Sequence, residues 1–299
     1  MADSLPLSAL LPSYDTSLRA RGRSERTRHL AQTYCNRLVS WLEKTARSEH
    51  AADVTSRVLE EYFVHLSEEL SSTTVGIHYR TVRAFFGWMA VEEEIDKNPF
   101  EKLRQPKAEE KPVPVFTDED LVALLDTAKG RGFEQRRDRA LMLTLIDTGI
   151  RLGELVGMTL EELNPQFQTV AVSGKTGSRV VAFGPTSWEA LDRYLRSRRS
   201  HKFVDRPELW IGNQGPLSQS GIAQLLKRRG KEAGVDGVNP HRFRHTFAHS
   251  WLQAGGNESD LQQLAGWSSP QMIRRYGRSV AADRAIQAHA RFSPGDKFA

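Results

Sequence analysis

A charged, proline-bearing run, QPKAEEKPVP at residues 105–114, constrains this chain most, because it lacks any apolar period and separates two stretches that have one. Each side must therefore close a core of its own, and 299 residues suffice for about two domains of ordinary size. Upstream, Leu30, Tyr34, Leu38, Trp41 and Leu42 recur at three- and four-residue steps between Ser24 and Arg47, one face of an amphipathic helix. A second helix is predicted after Asp53 or Thr55, burying Val58, Leu59, Tyr62, Phe63 and Leu66. A third buries Tyr79, Val82, Phe85, Phe86 and Met89 and turns Arg80 and Arg83 elsewhere. The expected organisation is a polar lead over 1–22, a helical domain over 23–104, a linker over 105–115, a second domain over 116–280 and a tail over 281–299.

The second domain opens on TDEDLVALLDTA, a helix capped by Thr117 with Glu119 and Asp120 in its first turn. It then alternates helices with one pair of strands, QTVAVSG and SRVVAFG, joined by Gly174, Lys175, Thr176 and Gly177 in a hairpin-turn composition. The predicted fold class is mainly α: a helical bundle, then a mostly helical domain with a small antiparallel hairpin or sheet. Lys and Arg number 42 against 37 Asp and Glu, a formal charge of +5, which favours a polyanionic partner, nucleic acid first. Cys35, the single cysteine, excludes an internal disulfide and a cysteine metal cluster and reads as core. Neither a signal-peptide pattern nor a long uninterrupted apolar run is present, so no membrane association and a cytoplasmic location are expected.

Four segments of the second domain put a phosphate-binding or reactive group at a marked place. In DTGIRLGELVGM, Gly149 ends one helix and Arg151 opens the next, where backbone N–H groups and a guanidinium can converge on an anion. Lys175 sits at the hairpin tip, from which an ammonium can reach a phosphodiester or protonate a leaving oxygen. In NPHRFRHTFAHSWLQAGGN, Asn239 caps and Pro240 takes the first helical position, with Phe243, Phe247 and Trp251 as the core stripe. His241, Arg244 and His245 then share another face, a proton acceptor beside a bidentate phosphate ligand. In LQQLAGWSSPQMIRRYGR, a helix ends at Gly266, another restarts at Ser269 and Pro270, and Tyr276 lies at its end among Arg274, Arg275 and Arg278. Singly, each has an ordinary reading: a surface arginine, a solvated turn lysine, a basic helix face, a packing tyrosine.

In order and spacing, TGIRLGEL, SGKTGSR, HRFRHTFAH, LAGW and MIRRYGR together resemble the tyrosine recombinase (phage integrase) family. The family's arginine, hairpin lysine, His-x-x-Arg pair, His or Trp, and nucleophilic tyrosine match Arg151, Lys175, His241 with Arg244, Trp267 and Tyr276. Trp267 departs from the commoner histidine, and Ala265-Gly266 stands where Leu-Gly is usual. Tryptophan retains one N–H donor but cannot shuttle a proton, so acid–base work falls to His241 and Lys175. The resemblance also covers the first domain, whose bundle and NPF turn at 98–100 look like the family's core-binding domain.

The resemblance implies attack by Tyr276 on a DNA phosphodiester, with Arg151 and Arg244 on the nonbridging oxygens, His241 as base and Lys175 as acid. It implies a 3′-phosphotyrosyl intermediate and neither metal nor other cofactor. Glu154 and His245 are expected to hold the two arginines in place, and Arg80, Arg83, Arg274 and Arg275 to contact double-stranded DNA. Self-association into dimers and tetramers on DNA is implied too, with the tail docking into a neighbouring protomer and accessory DNA-bending or directionality proteins as further partners. With only about 22 residues before the first predicted helix, a compact member without an arm-binding domain is expected. Three alternatives stay open: a chromosome-dimer resolving recombinase, a type IB topoisomerase-like enzyme that relaxes DNA without strand exchange, and a catalytically inactive DNA-binding protein.

Overall fold

The computed structural model describes residues 5–106, 113–174, 177–267, 269, 273, 286, 289 and 293–298. The chain divides into two compact units, Met1–Lys111 and Pro112–Ala299. The first is helical: α1 (Leu7–Ala20), α2 (Glu25–Lys44), α3 (Ser56–Glu69) and α4 (Ser72–Val91). Ser24, Thr55 and Ser71 cap α2, α3 and α4, each hydroxyl accepting from the backbone N–H three residues on. α2 packs on α1 and α4, and α3 on α4. The core stripe of α4 is as the period predicts, with Tyr79, Val82, Phe85, Phe86 and Met89 inaccessible and Arg80 and Arg83 exposed. Cys35 is buried, and that burial pushes its thiol pKa up to about 12, which suits an inert core residue. The turn at 98–100 closes as Asn98 Oδ1 accepts from Phe100 N–H at 3.0 Å, seating Phe100 among Phe63, Tyr79 and Phe86.

Two expectations for this unit are corrected. Residues 1–22 are not simply a polar lead: α1 sends Leu7, Leu10, Leu11, Tyr14 and Leu18 into the core. Their three- and four-residue spacing is helical, but Pro6 and Pro12 mask it. Pro6 stands at the N-cap and Pro12 early in the helix, where a lost N–H bond is outweighed by a fully buried face. On α2, Leu30 is 39% exposed, and the inward stripe is instead Ala31, Cys35, Leu38, Val39 and Leu42. Cys35 is core as read, and the small Ala31, one position beyond Leu30, takes the inward place on that face.

The second unit runs α5 (Asp118–Asp126), α6 (Phe133–Thr148), α7 (Leu152–Val156), β1 (Leu163–Asn164), β2 (Thr169–Gly174), β3 (Gly177–Ala182) and α8 (Pro185–Arg198). It continues with β4 (Ile211–Gly212), β5 (Gly215–Pro216), α9 (Gln219–Ala233), α10 (Pro240–Gln253) and α11 (Glu258–Ala265). Thr117 and Asp120 form the reciprocal cap of α5. α6 is buried nearly all round and packs on α8 and α10. β2 and β3 pair antiparallel from Thr169↔Ala182 to Gly174↔Gly177, and β1 adds a short third strand beside β2. That strand and the β4–β5 pair extend the single hairpin read from the sequence. The fold is thus mainly α with small antiparallel sheets. No helix among the described residues is long and apolar enough to cross a membrane.

Candidate active site

α6 ends at Gly149, whose φ of 54° is left-handed and whose N–H closes the last turn on Leu145 O at 3.1 Å. A Cβ there would stand 2.4 Å from Cδ1 of Phe247 on α10. Backbone sign and space therefore both demand glycine. Gly149→Ala should destabilise the chain by roughly 2–5 kcal/mol, about 1–2 from the left-handed backbone and about 1–3 from overpacking. Thermal unfolding measures this, and a loss below about 1 kcal/mol would mean that the reversal relaxes at little cost.

The reversal drops Ile150 into the core and leaves Arg151 as the N-cap of α7. Glu154, 4% exposed, accepts the Arg151 backbone N–H at 3.1 Å on Oε2 and its Nη1 at 2.8 Å on Oε1. The Arg151 Nη2 donates to the Gly266 carbonyl. On α10, capped by Asn239 and opened by Pro240, Arg244 is buried and donates from Nη1 to Gly149 O and from Nη2 to Ala265 O, both at 2.6 Å. Its guanidinium carbon lies 5.2 Å from the centroid of the buried Trp267 ring, within cation–π range. The tryptophan at the family's histidine position thus supports Arg244 from its ring face.

The structure therefore brings Arg151, Glu154, Arg244 and Trp267 together at the C-terminus of α11. That helix end leaves carbonyls without intrahelical donors and carries partial negative charge, two reasons for cations to gather there. His241 is exposed in the first turn of α10, with the half-buried His245 ring stacked at a centroid distance of 6.4 Å. Beneath the site, Phe247, Ala248, Leu252, Leu261, Ala265, Trp267 and Ile273 form a satellite core. Lys175, Arg274, Arg275 and Tyr276 lie outside the described residues. Arg80 and Arg83 belong to the other unit and are exposed on α4.

One residue escaped the sequence reading. Arg179 on β3 donates from Nη2 to Glu154 Oε2 at 2.7 Å and from Nη1 to the Leu264 carbonyl. Its side chain is only 13% exposed. The signal was strand alternation, which puts Arg179 on the inward face with Val181. Burial pushes the Glu154 pKa up, yet the hydrogen bonds from Arg179 and Arg151 outweigh it and hold the carboxyl below its ordinary value.

A mainly helical fold of this kind, with small antiparallel sheets, is that of DNA integrases and Xer recombinases. The Tn1549 transposon integrase bound to transposon right end DNA superposes with a TM-score of 0.76 at 22% identity, over 95% of this chain and all of that one (100%). A lambda integrase dimer bound to a core site gives 0.73 at 17% identity over 91% and 95%. In sequence, the tyrosine recombinase XerC of Staphylococcus carnosus is 33% identical over 213 residues, 70% of this chain and 72% of that protein. XerD of Halalkalibacterium halodurans is 28% identical over 250 residues, 82% and 83% of the two chains. The phage integrase family model matches residues 114–282. The chain belongs to the phage integrase family, and its activity is that of a tyrosine-type site-specific DNA recombinase.

Proposed function

We propose that this recombinase cuts and rejoins double-stranded DNA through a 3′-phosphotyrosyl bond formed by Tyr276, and exchanges strands between two sites. The observation that carries the assignment of roles is the pair of guanidiniums, Arg151 and Arg244, held on the adjacent carbonyls of Gly266 and Ala265. A phosphodiester is already anionic, and charge builds further on its nonbridging oxygens during attack. Donors fixed beforehand stabilise that charge without reorganising. As Tyr276 attacks, its hydroxyl proton passes to His241, exposed at the start of α10, while Lys175 supplies a proton to the departing 5′ oxygen. The bond broken is P–O5′ and the bond formed is P–O(Tyr), so a free 5′ hydroxyl can later reverse the step on a partner strand. Trp267 holds Arg244 and takes no part in proton transfer.

DNA is the partner that this chemistry requires, contacted by Arg274 and Arg275 beside the nucleophile and by Arg80 and Arg83 from the first unit. Dimers and tetramers on DNA, and accessory proteins, belong to the same reading. The similarity to proteins named XerC and XerD supports a second reading, chromosome-dimer resolution, beside integration of a mobile element.

Covalent capture tests the proposal. The full chain is mixed with pooled genomic fragments in a chelator and denatured, and DNA that stays attached is sequenced, with Tyr276→Phe as control. Discrete sites recovered by the unaltered chain alone are expected. Adducts that persist in Tyr276→Phe would remove that tyrosine from the role of nucleophile.

A further inference from the structure

We propose that Arg179 is a positioning residue of the recombination reaction, acting through Glu154 and the end of α11 to fix the Arg151 guanidinium and register the β2–β3 hairpin against it. The proposal rests on Arg151 being a phosphate ligand.

Three successive carbonyls at the end of α11 each accept from a different arginine: Leu264 from Arg179, Ala265 from Arg244 and Gly266 from Arg151. These arginines come from β3, α10 and the start of α7, so one helix terminus gathers three elements of the unit. Glu154 joins two of them, with Oε1 on Arg151 Nη1 at 2.8 Å and Oε2 on Arg179 Nη2 at 2.7 Å. Because Oε2 also takes the Arg151 backbone N–H, rotation of the carboxylate would break bonds to both arginines. Arg179 thus locks the orientation of the carboxylate that orients Arg151.

Close packing depends on missing side chains. Gly266 is left-handed at φ +62°, and a Cβ there would stand 3.0 Å from Cδ and Nε of Arg179 and 3.1 Å from Arg151 Nη1. Gly174, the hairpin residue before Lys175, lies so near Glu154 that its Cβ would be 3.1 Å from Oε1. The hairpin is therefore seated on the same carboxylate that holds Arg151. An apolar side chain at 179, beside Val181, would fill this inward strand position without the desolvation cost of a largely buried ion pair. What the arginine adds is a fixed geometry between the hairpin and the anion site.

The test uses the full chain and a nicked duplex carrying a captured site, in single-turnover adduct formation. One substrate has the natural scissile phosphodiester, and the other a methylphosphonate in which a neutral methyl replaces one nonbridging oxygen. If Arg179 acts through the charge-stabilising arginine, Arg179→Gln should slow the phosphodiester by about 10- to 100-fold, as loss of a supporting partner commonly does. On the methylphosphonate, which lacks that negative charge, variant and unaltered chain should react within about threefold of each other, and DNA affinity in gel shift should be unchanged. Equal slowing on both substrates, or none on either, would overturn the proposal.

Arg151→Ala, run on the same pair, separates the two layers. If it shows no preference for the neutral substrate, the role of Arg151 itself is wrong. If it shows one and Arg179→Gln does not, only the present inference fails. Should Arg179→Gln not fold, Gly266→Ala displaces both arginines while keeping their charges, and Arg179→Lys keeps the charge but not the fork. Both should show the same substrate selectivity, and its absence from both would again overturn the proposal.

Discussion

Arg244→Ala is expected to lower single-turnover adduct formation by about 10²- to 10³-fold, the usual cost of removing one preorganised donor from a charge-stabilising site. Arg244 is 6% exposed and held by Gly149 O, Ala265 O and the face of the Trp267 ring. Such a guanidinium is oriented before DNA arrives, so little of its effect is spent on ordering a long side chain. Arg244→Lys should recover less than about tenfold of the loss, because an ammonium keeps the charge but cannot span two carbonyls in a planar fork. Rate constants for the three proteins on one captured site decide the matter. If Arg244→Ala reacts within about threefold of the unaltered chain, Arg244 is a packing residue and the phosphate must be held elsewhere.

The largest expected effect on stability lies away from the site. Asp138 on α6 is completely buried and takes Arg137 on Oδ1, Nε at 2.8 Å and Nη2 at 2.7 Å. Its Oδ2 takes Arg229 of α9, Nε at 2.9 Å and Nη2 at 2.7 Å. Burial lowers the pKa of Arg229, but bonding to Asp138 and Glu232 outweighs this and raises it overall. Asp138→Ala removes the buried carboxylate that Arg137 and Arg229 share and leaves them the half-exposed Glu134, 4.0 Å from Arg137, and Glu232, 2.8 Å from Arg229, a break in a buried ion pair that typically costs about 3–5 kcal/mol. For a unit of this size the melting temperature should fall by roughly 6–20 °C. Asp138→Asn, which keeps the shape and part of the hydrogen bonding, should fall less. A drop under about 2 °C for Asp138→Ala in thermal unfolding would show that water or a neighbouring carboxylate replaces Asp138 at little cost.

Legibility differed between the local and the distant. Helix caps at Thr117 and Asn239, the helix stop at Gly266 and the hairpin of β2 and β3 depend on residues a few positions apart, so their pattern can be read along the chain; for α3 the pattern narrowed the cap to Asp53 or Thr55, and the structure takes Thr55. Arg151 and Arg244 were legible as members of a spaced set of motifs, although an arginine at a helix start has an ordinary surface reading when met alone. α1 was hidden by two prolines that penalise a helix locally, while burial of five side chains in a distant core stabilises it. Arg179 and Asp138 were passed over because a charged residue reads as solvated until its partner is known.

By itself, the sequence determined the caps and stops of several helices, that two cores form on either side of residues 105–114, and which family's motifs the second carries. The tertiary structure alone decided that Arg151 meets a carbonyl 115 residues away, that Arg244 meets one 95 residues away, and that Arg179 shares Glu154 with Arg151. The physical reason is range. Propensity, capping and periodicity act over one or two turns, whereas the electrostatic worth of a guanidinium is set by whichever distant dipole and carboxylate folding places beside it.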